Sequence, residues 1–276
     1  MTWTWSPAPV LVAGPCVLEG DDVDLRVAVH LAELAAKLGL RVLYKASFDK
    51  ANRSRAGAPR GPGLEEGLRM LERVRSESGL PLLTDVHLPS QAGAAAGVVD
   101  ALQVPAFLCR QTDVLEAVGA TGLAANIKKG QWMSAAGMVG AVAKVRAAGG
   151  AEVAVTERGT FFGYGDLVVD MRNFERLGAA TSAAVLFDAT HAVQQPGAGP
   201  GGATGGVREH VPALLTAAAA AGADGFFVET HPAPDAAPSD GATMWPLSSL
   251  ESLLERALEV WHAARGRETV RSRGAP

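Results

Sequence analysis

Between residues 10 and 264, apolar runs of strand length alternate with stretches of helical period, and the pattern repeats eight times. The strand-like runs are 10–13, 42–46, 81–86, 101–104, 124–128, 152–156, 184–188 and 225–229. Between them Val23, Val27, Leu31, Leu34 and Leu38 recur every three or four residues, as do Leu64, Leu68, Leu71 and Val74. Further helices are predicted near 90–97, 113–120, 138–148, 167–177 and 207–221, and Leu250, Leu253, Leu254, Ala257 and Trp261 mark a last one. Eight strand-then-helix units predict an α/β protein built as a single (β/α)8 TIM barrel, in which right-handed crossovers close the sheet without an edge. A doubly wound open sheet is the alternative. It usually carries a Gly-rich turn after its first strand, and Ala13-Gly14-Pro15-Cys16 lacks the GxGxxG spacing. The barrel is expected over 1–264, with Trp3 and Trp5 in a short N-terminal strand or hairpin closing its bottom and 265–276 as a flexible tail.

Composition narrows the function classes. With 276 residues, 48% of them hydrophobic, the chain can enclose a sizeable core, which excludes a disordered tail or a fibre. Apolar stretches are broken by Gly, Asp or Pro well short of the roughly 20 residues a membrane span needs. Lys and Arg number 25 against 29 Asp and Glu, a net charge of −4 that argues against nucleic-acid or membrane partners. Residues 1–9 lack a basic start and an apolar signal core, so a cytoplasmic location is expected. Two cysteines cannot make a disulfide framework; Cys109 reads as core, and Cys16 as core, ligand or nucleophile.

In a barrel, chemistry sits at the C-terminal ends of the strands. Those ends carry Cys16; Lys45 with Lys50, Asn52 and Arg53 beyond it; Asp85 and His87; Gln103; Asn126, Lys128 and Lys129; Glu157 and Arg158; Asp188 and His191; and Glu229 and His231. Ionisable groups therefore crowd one rim, whereas a solvated charged face would scatter them over helix surfaces. Lys45, Lys50, Lys128 and Arg158 would repel one another without an anion, which implies a phosphate or phosphate-plus-carboxylate ligand. A Schiff-base role for Lys45 or Lys128 is also open, since a desolvated lysine gives up its proton more readily. Cys16, His191, Glu229 and the later Asp240 suit zinc, iron(II) or manganese, although their spacing is not diagnostic and His231 competes with His191.

The stretch Lys45-Ala46-Ser47-Phe48-Asp49-Lys50-Ala51-Asn52-Arg53-Ser54 resembles the 3-deoxy-D-manno-octulosonate 8-phosphate synthase family. Gly14-Pro15-Cys16, Thr84-Asp85-Val86-His87, Asn126-Ile127-Lys128-Lys129-Gly130-Gln131, Asp188-Ala189-Thr190-His191 and Glu229-Thr230-His231-Pro232 agree in the same order. The resemblance implies a cytoplasmic transferase that condenses phosphoenolpyruvate with arabinose 5-phosphate and water, forming an eight-carbon sugar acid phosphate of lipopolysaccharide. It implies that Lys45, Lys50, Gln103, Ala106, Lys128 and Arg158 hold phosphoenolpyruvate. Asn52, Arg53, Ser54 and Asp85 are then expected to hold the sugar phosphate, with Ser47 also substrate-binding and Arg53 shared across an interface of a homotetramer. Lys45, Lys50, Asp85, Lys128 and His191 are the expected catalytic residues. Members with Cys in the first strand's loop are metal-dependent, so Cys16, His191, Glu229 and Asp240 are the expected ligands of a divalent ion.

The chain departs from the family where Arg55, Ala56, Gly57, Ala58 and Pro59 stand before Arg60 in place of a second Ser and an Ile-His-Ser stretch. The altered loop lies at the sugar-phosphate end, so the same chemistry on erythrose 4-phosphate is an alternative. Others are a Schiff-base aldolase and a barrel that binds sugar phosphates without turnover.

Overall fold

Each buried strand hands the chain to a helix that returns it to the bottom of the sheet. In the computed structural model, which describes residues 3–53, 57–199, 202 and 204–272, the strands are β1 (Val10–Gly14), β2 (Arg41–Lys45), β3 (Leu82–Asp85), β4 (Ala101–Val104), β5 (Ala124–Lys128) and β6 (Val153–Glu157), then β7 (Thr160–Gly163), β8 (Asp166–Val168), β9 (Ala184–Asp188), β10 (Gln194–Gln195), β11 (Gly205–Gly206), β12 (Gly225–His231) and β13 (Trp245–Pro246). β1 to β6, β9 and β12 pair in parallel in that order, and β12 closes the ring on β1, with Val10 opposite Gly225 and Gly14 opposite Glu229. The helices are α1 (Asp21–Leu38), α2 (Leu64–Ser78), α3 (Pro89–Ala96), α4 (Thr112–Ala120), α5 (Val139–Ala147), α6 (Asn173–Thr181), α7 (Val211–Ala220) and α8 (Leu250–Ser272). The (β/α)8 barrel expected from the alternation is the fold observed. α8 runs past residue 264, where the tail was expected to begin, as far as Ser272.

Strand period sorts the side chains into two cores. One set, including Leu11, Tyr44, Leu82, Leu102, Ile127 and Val185, faces outward and packs under the helices. The other, Val10, Val12, Leu43, Leu83, Ala101, Ala124, Ala154, Leu186 and Phe227, fills the lower interior together with Trp3 and Trp5. The tryptophans thus join the barrel's lower core, but from irregular backbone and not from the expected strand or hairpin. Pro7 and Pro9 have no N–H for a ladder; Arg41 fastens the segment instead, donating to the carbonyls of Thr4 and Pro7 and lying 4.4 Å over the Trp3 ring.

Two residues further along each strand the interior changes character. Leu43 is followed by Lys45, Leu83 by Asp85, Ala101 by Gln103, Ala124 by Asn126 and Lys128, Leu186 by Asp188, and Phe227 by Glu229. All of these polar residues are buried. An apolar floor therefore carries a polar upper layer, and the short ladders β7–β8, β10–β11 and β12–β13 rise above it in strand-to-helix loops. The helix expected over 167–177 begins only at Asn173, because Leu167 and Val168 belong to β8. Tyr164 and Gly165, at φ 57° and 98°, make the two-residue positive-φ turn that joins β7 to β8.

Candidate active site

The upper layer lines a cavity of about 390 Å³ at the C-terminal mouth. Lys45, Lys50, Asn52, Arg53, Asp85, Gln103, Ala106, Lys128, Arg158, His191, Glu229 and Asp240 all border it. Its floor is a charge network. Lys45 Nζ lies 3.0 Å from Ser47 Oγ, 3.4 Å from Glu229 Oε1 and 3.7 Å from Asp85 Oδ1. Ser47 Oγ donates to Asp85, whose second oxygen is 3.0 Å from His87 Nε2. Burial alone would raise the Asp85 pKa, but Lys45 and His87 hold it well below the ordinary carboxylate range.

Lys128 stands 2.5 Å from Asp188 Oδ2 and 2.9 Å from the centre of the Phe227 ring. Burial lowers its pKa to about 8 against the pull of Asp188, so its charge changes close to neutrality. Lys50 is shifted the other way: Cys16, Glu229, Asp85 and Asp240 outweigh burial and raise it. Arg158 donates from Nη2 to Gln194 at 2.6 Å, while its buried Nη1 has no hydrogen-bond partner among the described residues. A cation with a free donor beside a cavity is suited to an anion. Thr156 Oγ1 donates to Asn126, and Asn126 donates to Gln103 Oε1, which orients the Gln103 amide.

Glu229, the partner of Lys45, also belongs to a second group: ligand atoms of Cys16, Glu229 and Asp240 all lie within 4.8 Å of one another. His191 Nε2 is 3.7 Å from Glu229 Oε2 and 3.9 Å from Asp240 Oδ2. Its Nδ1 is within ion-pair distance of Asp188, 2.7 Å, but makes no hydrogen bond among the described residues. Burial first, then Asp240 and Glu229, push the Cys16 thiol well above its usual pKa. Asp240 is held at about 2, with His191 and Lys50 overcoming burial. Glu229 Oε2 is buried without a hydrogen-bond partner among the described residues. An unsatisfied carboxylate oxygen beside a thiol and a second carboxylate fits a divalent cation, which would hold the thiolate and relieve the repulsion between the acids. The residues present therefore fit a metal ion. His231 does not compete: its Nδ1 accepts from the Ala233 N–H at 2.9 Å and its Nε2 faces Glu19 at 3.4 Å.

Ser54 lies outside the described residues. Arg53 reaches the mouth of its own chain, donating to Ser239 Oγ at 2.6 Å and to the Pro59 carbonyl at 2.7 Å. Four further residues hold the site together beyond those expected to bind or react. His87 pairs with Asp85, Asn126 orients Gln103, Ser239 lies 3.1 Å from Cys16 Sγ, and Gln194 touches both Arg158 and Asp240. His87 and Asn126 stand at strand ends and could have been chosen on that ground. Gln194 and Ser239 sit deep in loops, where no strand-end rule reaches them.

Comparison with known proteins decides the family. The profile of the DAHP synthetase I family matches residues 6–264. This chain belongs to that family. Family members similar to it include a 2-dehydro-3-deoxyphosphooctonate aldolase of Rhodopseudomonas palustris, 51% identical over 260 residues, covering 94% of this chain and 90% of the relative. A protein of the same name from Nitratidesulfovibrio vulgaris is 51% identical over 251 residues, 91% of each chain. One from Acidithiobacillus ferrooxidans is 48% identical over 258 residues, 94% of this chain and 91% of its own. No described helix of this family member is long and apolar enough to cross a membrane.

Proposed function

We propose that the chain is a 3-deoxy-8-phosphooctulonate synthase, condensing phosphoenolpyruvate with D-arabinose 5-phosphate and water to give 3-deoxy-D-manno-octulosonate 8-phosphate and phosphate. The observation that carries the reading is the convergence of Lys45, Lys50, Lys128 and Arg158 on one cavity beside the Cys16, Glu229 and Asp240 cluster. Relatives about 50% identical over nearly the whole chain bear the name of this enzyme.

Lys45, Lys50, Gln103, Ala106, Lys128 and Arg158 hold phosphoenolpyruvate, matching three lysines and an arginine to a phosphate and a carboxylate. Asn52, Arg53 and Ser54 take the phosphate of the sugar, and Asp85, oriented by Ser47 and His87, takes its hydroxyls. C3 of phosphoenolpyruvate forms the new bond to the aldehyde carbon, and the aldehyde oxygen takes a proton. Water adds at C2 and gives up one proton, and the resulting hemiketal phosphate collapses: its C2 hydroxyl passes its proton to the departing phosphate, the C2=O bond forms and the C2–O bond to phosphate breaks. Lys128, with a pKa of about 8 and a carboxylate 2.5 Å away, is placed to hold or move one of these protons. Cys16, His191, Glu229 and Asp240 would hold a zinc, iron(II) or manganese ion, whose chemistry when bound is Lewis-acid polarisation of the aldehyde or activation of water.

The reading includes a cytoplasmic homotetramer. An exposed groove of about 1230 Å³ bordered by Trp132, Phe161 and Val168 supports association. Sharing Arg53 between subunits requires it to leave Ser239. The direct test is phosphate release from phosphoenolpyruvate by the manganese-supplemented protein. Release with arabinose 5-phosphate and not with erythrose 4-phosphate is expected; release only with the four-carbon sugar, or with neither, overturns the assignment.

A further inference from the structure

Gln194 occupies an unusual electrical position. Its side-chain oxygen accepts from Arg158 Nη2 at 2.6 Å, and its side-chain nitrogen donates to Asp240 Oδ1 at 3.1 Å. The amide is thus turned with its negative end to the cation and its positive end to the carboxylate; the flipped rotamer would face like against like. Asp240 divides its oxygens accordingly. Oδ2 faces Cys16 Sγ at 2.9 Å, in the candidate metal cluster, and Oδ1 is held by Gln194. Arg158 divides its nitrogens in the same way, with Nη2 on Gln194 and the buried Nη1 without a hydrogen-bond partner among the described residues.

Local structure fixes the bridge. Gln194 and Gln195 pair antiparallel with Gly206 and Gly205, and the Val207 N–H bonds back to Val193. A Cβ on Gly206 would lie 2.2 Å from the Thr243 side chain and 2.9 Å from the Val193 carbonyl, so the ladder is pressed against the segment that follows Asp240. Asp240 itself sits at φ 51°, a conformation a non-glycine residue keeps only when its surroundings hold it.

We infer that Gln194 is a positioning residue serving two ligands at once, aiming Arg158 at the anionic substrate and Asp240 at the metal ion through one amide. The inference rests on the proposed reading of the cavity as a phosphoenolpyruvate and divalent-cation site. Two variants separate it from a merely structural role. Gln194→Met keeps the bulk and removes both hydrogen bonds. Gln194→Glu keeps an acceptor for Arg158 but places a second negative charge against Asp240.

Manganese affinity is measured by chelator competition without substrate, and phosphoenolpyruvate affinity by titration of the metal-free protein. Gln194→Met should weaken each by about tenfold, the lower end for loss of an outer-sphere partner. Gln194→Glu keeps the acceptor for Arg158 but loses the donor to Asp240 and repels it, so manganese should weaken as in Gln194→Met while phosphoenolpyruvate weakens less than in Gln194→Met. General loosening of the site would weaken both ligands together in both variants. The inference is overturned if Gln194→Met keeps both affinities within twofold, or if Gln194→Glu keeps the parent's manganese affinity. Failure of the parent protein to bind phosphoenolpyruvate with or without manganese would instead sink the proposed function, and the inference with it.

Discussion

Lys129 and Glu157 form an ion pair at 3.4 Å with no solvent exposure on either side chain. Lys129 Nζ also lies 3.3 Å from the carbonyls of Gly130, Met133 and Gly159 and from Thr160 Oγ1. Glu157 Oε1 accepts the N–H groups of Arg158 and Gly159 at 2.9 and 2.7 Å, and Oε2 accepts from Asn173 at 2.8 Å. The pair therefore ties the loop after β5 to the loop after β6 and fixes the backbone from which Arg158 projects. Lys129→Met strands a buried carboxylate and three carbonyls. Removing one partner of a buried pair costs about 3–5 kcal/mol. At about 2–4 °C per kcal/mol for a chain of this size, the thermal midpoint should fall by about 6–20 °C. Pairing it with Glu157→Gln removes the stranded charge while keeping an acceptor for the two N–H groups, so the double variant should recover roughly half of the loss. Thermal unfolding followed by circular dichroism gives the three midpoints, and the KM for phosphoenolpyruvate should rise in Lys129→Met with that for the sugar unchanged. A midpoint for Lys129→Met within about 2 °C of the parent, or a double variant no better than the single, would refute the argument.

Stripping metal with a chelator should abolish turnover, with divalent ions restoring it; full activity in a sample verified metal-free would contradict the fit of Cys16, Glu229 and Asp240 to an ion. Lys128 has a folded pKa lowered from 10.5 to about 8. Between pH 8 and 10.5 the unfolded chain therefore holds the extra proton, and this residue's destabilising contribution, full below pH 8, fades as pH rises through that window. Phosphoenolpyruvate affinity should fall over the same rise as the cation is lost, and Lys128→Met should flatten both profiles; an unchanged profile in the variant refutes the assignment. Gly14→Ala places a Cβ 2.1 Å from the Lys45 carbonyl oxygen, a backbone atom that cannot step aside, so it should yield insoluble or strongly destabilised protein. In a shared-site tetramer, co-assembled Arg53→Ala and Lys128→Met subunits, each inactive alone, should regain activity; none regained in mixed assemblies means that each barrel uses its own Arg53.

The fold was legible because strands of a closed parallel barrel, covered by helices, are nearly all apolar, and because each crossover must be long enough for a helix. The polar layer was legible for a related reason: Lys45, Asp85, Gln103, Lys128, Asp188 and Glu229 stand at or near the ends of their strands. Reading failed where apolar residues serve a short ladder. Leu167, Val168 and Val169 fit a helix as well as a strand, and only Gly163-Tyr164-Gly165 signalled the turn between β7 and β8. Trp3 and Trp5 alternate like a strand but enter the barrel floor from backbone held by Arg41. Gln194 is six residues beyond the end of β9, and its role depends on Arg158 and Asp240 meeting in space, which no local pattern encodes.

The same meeting in space explains why the mouth can bury so many charges. Lys45, Lys50, Arg53, Lys128 and Arg158 face Asp85, Asp188, Glu229 and Asp240, so five cationic side chains nearly balance four carboxylates. They are not distributed evenly. Lys128 has Asp188 and Lys45 has Asp85 and Glu229, whereas among the described residues Arg158 Nη1 and Glu229 Oε2 have no hydrogen-bond partner. A phosphorylated carboxylate alone would satisfy the arginine and leave the acids of the cation cluster facing more negative charge; a divalent cation alone would satisfy the acids and sit against the lysines. Bound together, each ligand offsets the imbalance the other creates, and in a buried site the attraction is far stronger than in water. Affinity for either ligand should therefore rise when the other is present, by the same factor in both directions. Titrating manganese at zero and saturating phosphoenolpyruvate, and phosphoenolpyruvate at zero and saturating manganese, measures that factor twice, and independent binding of the two would show that the balance of the mouth is structural and plays no part in assembling the reactants.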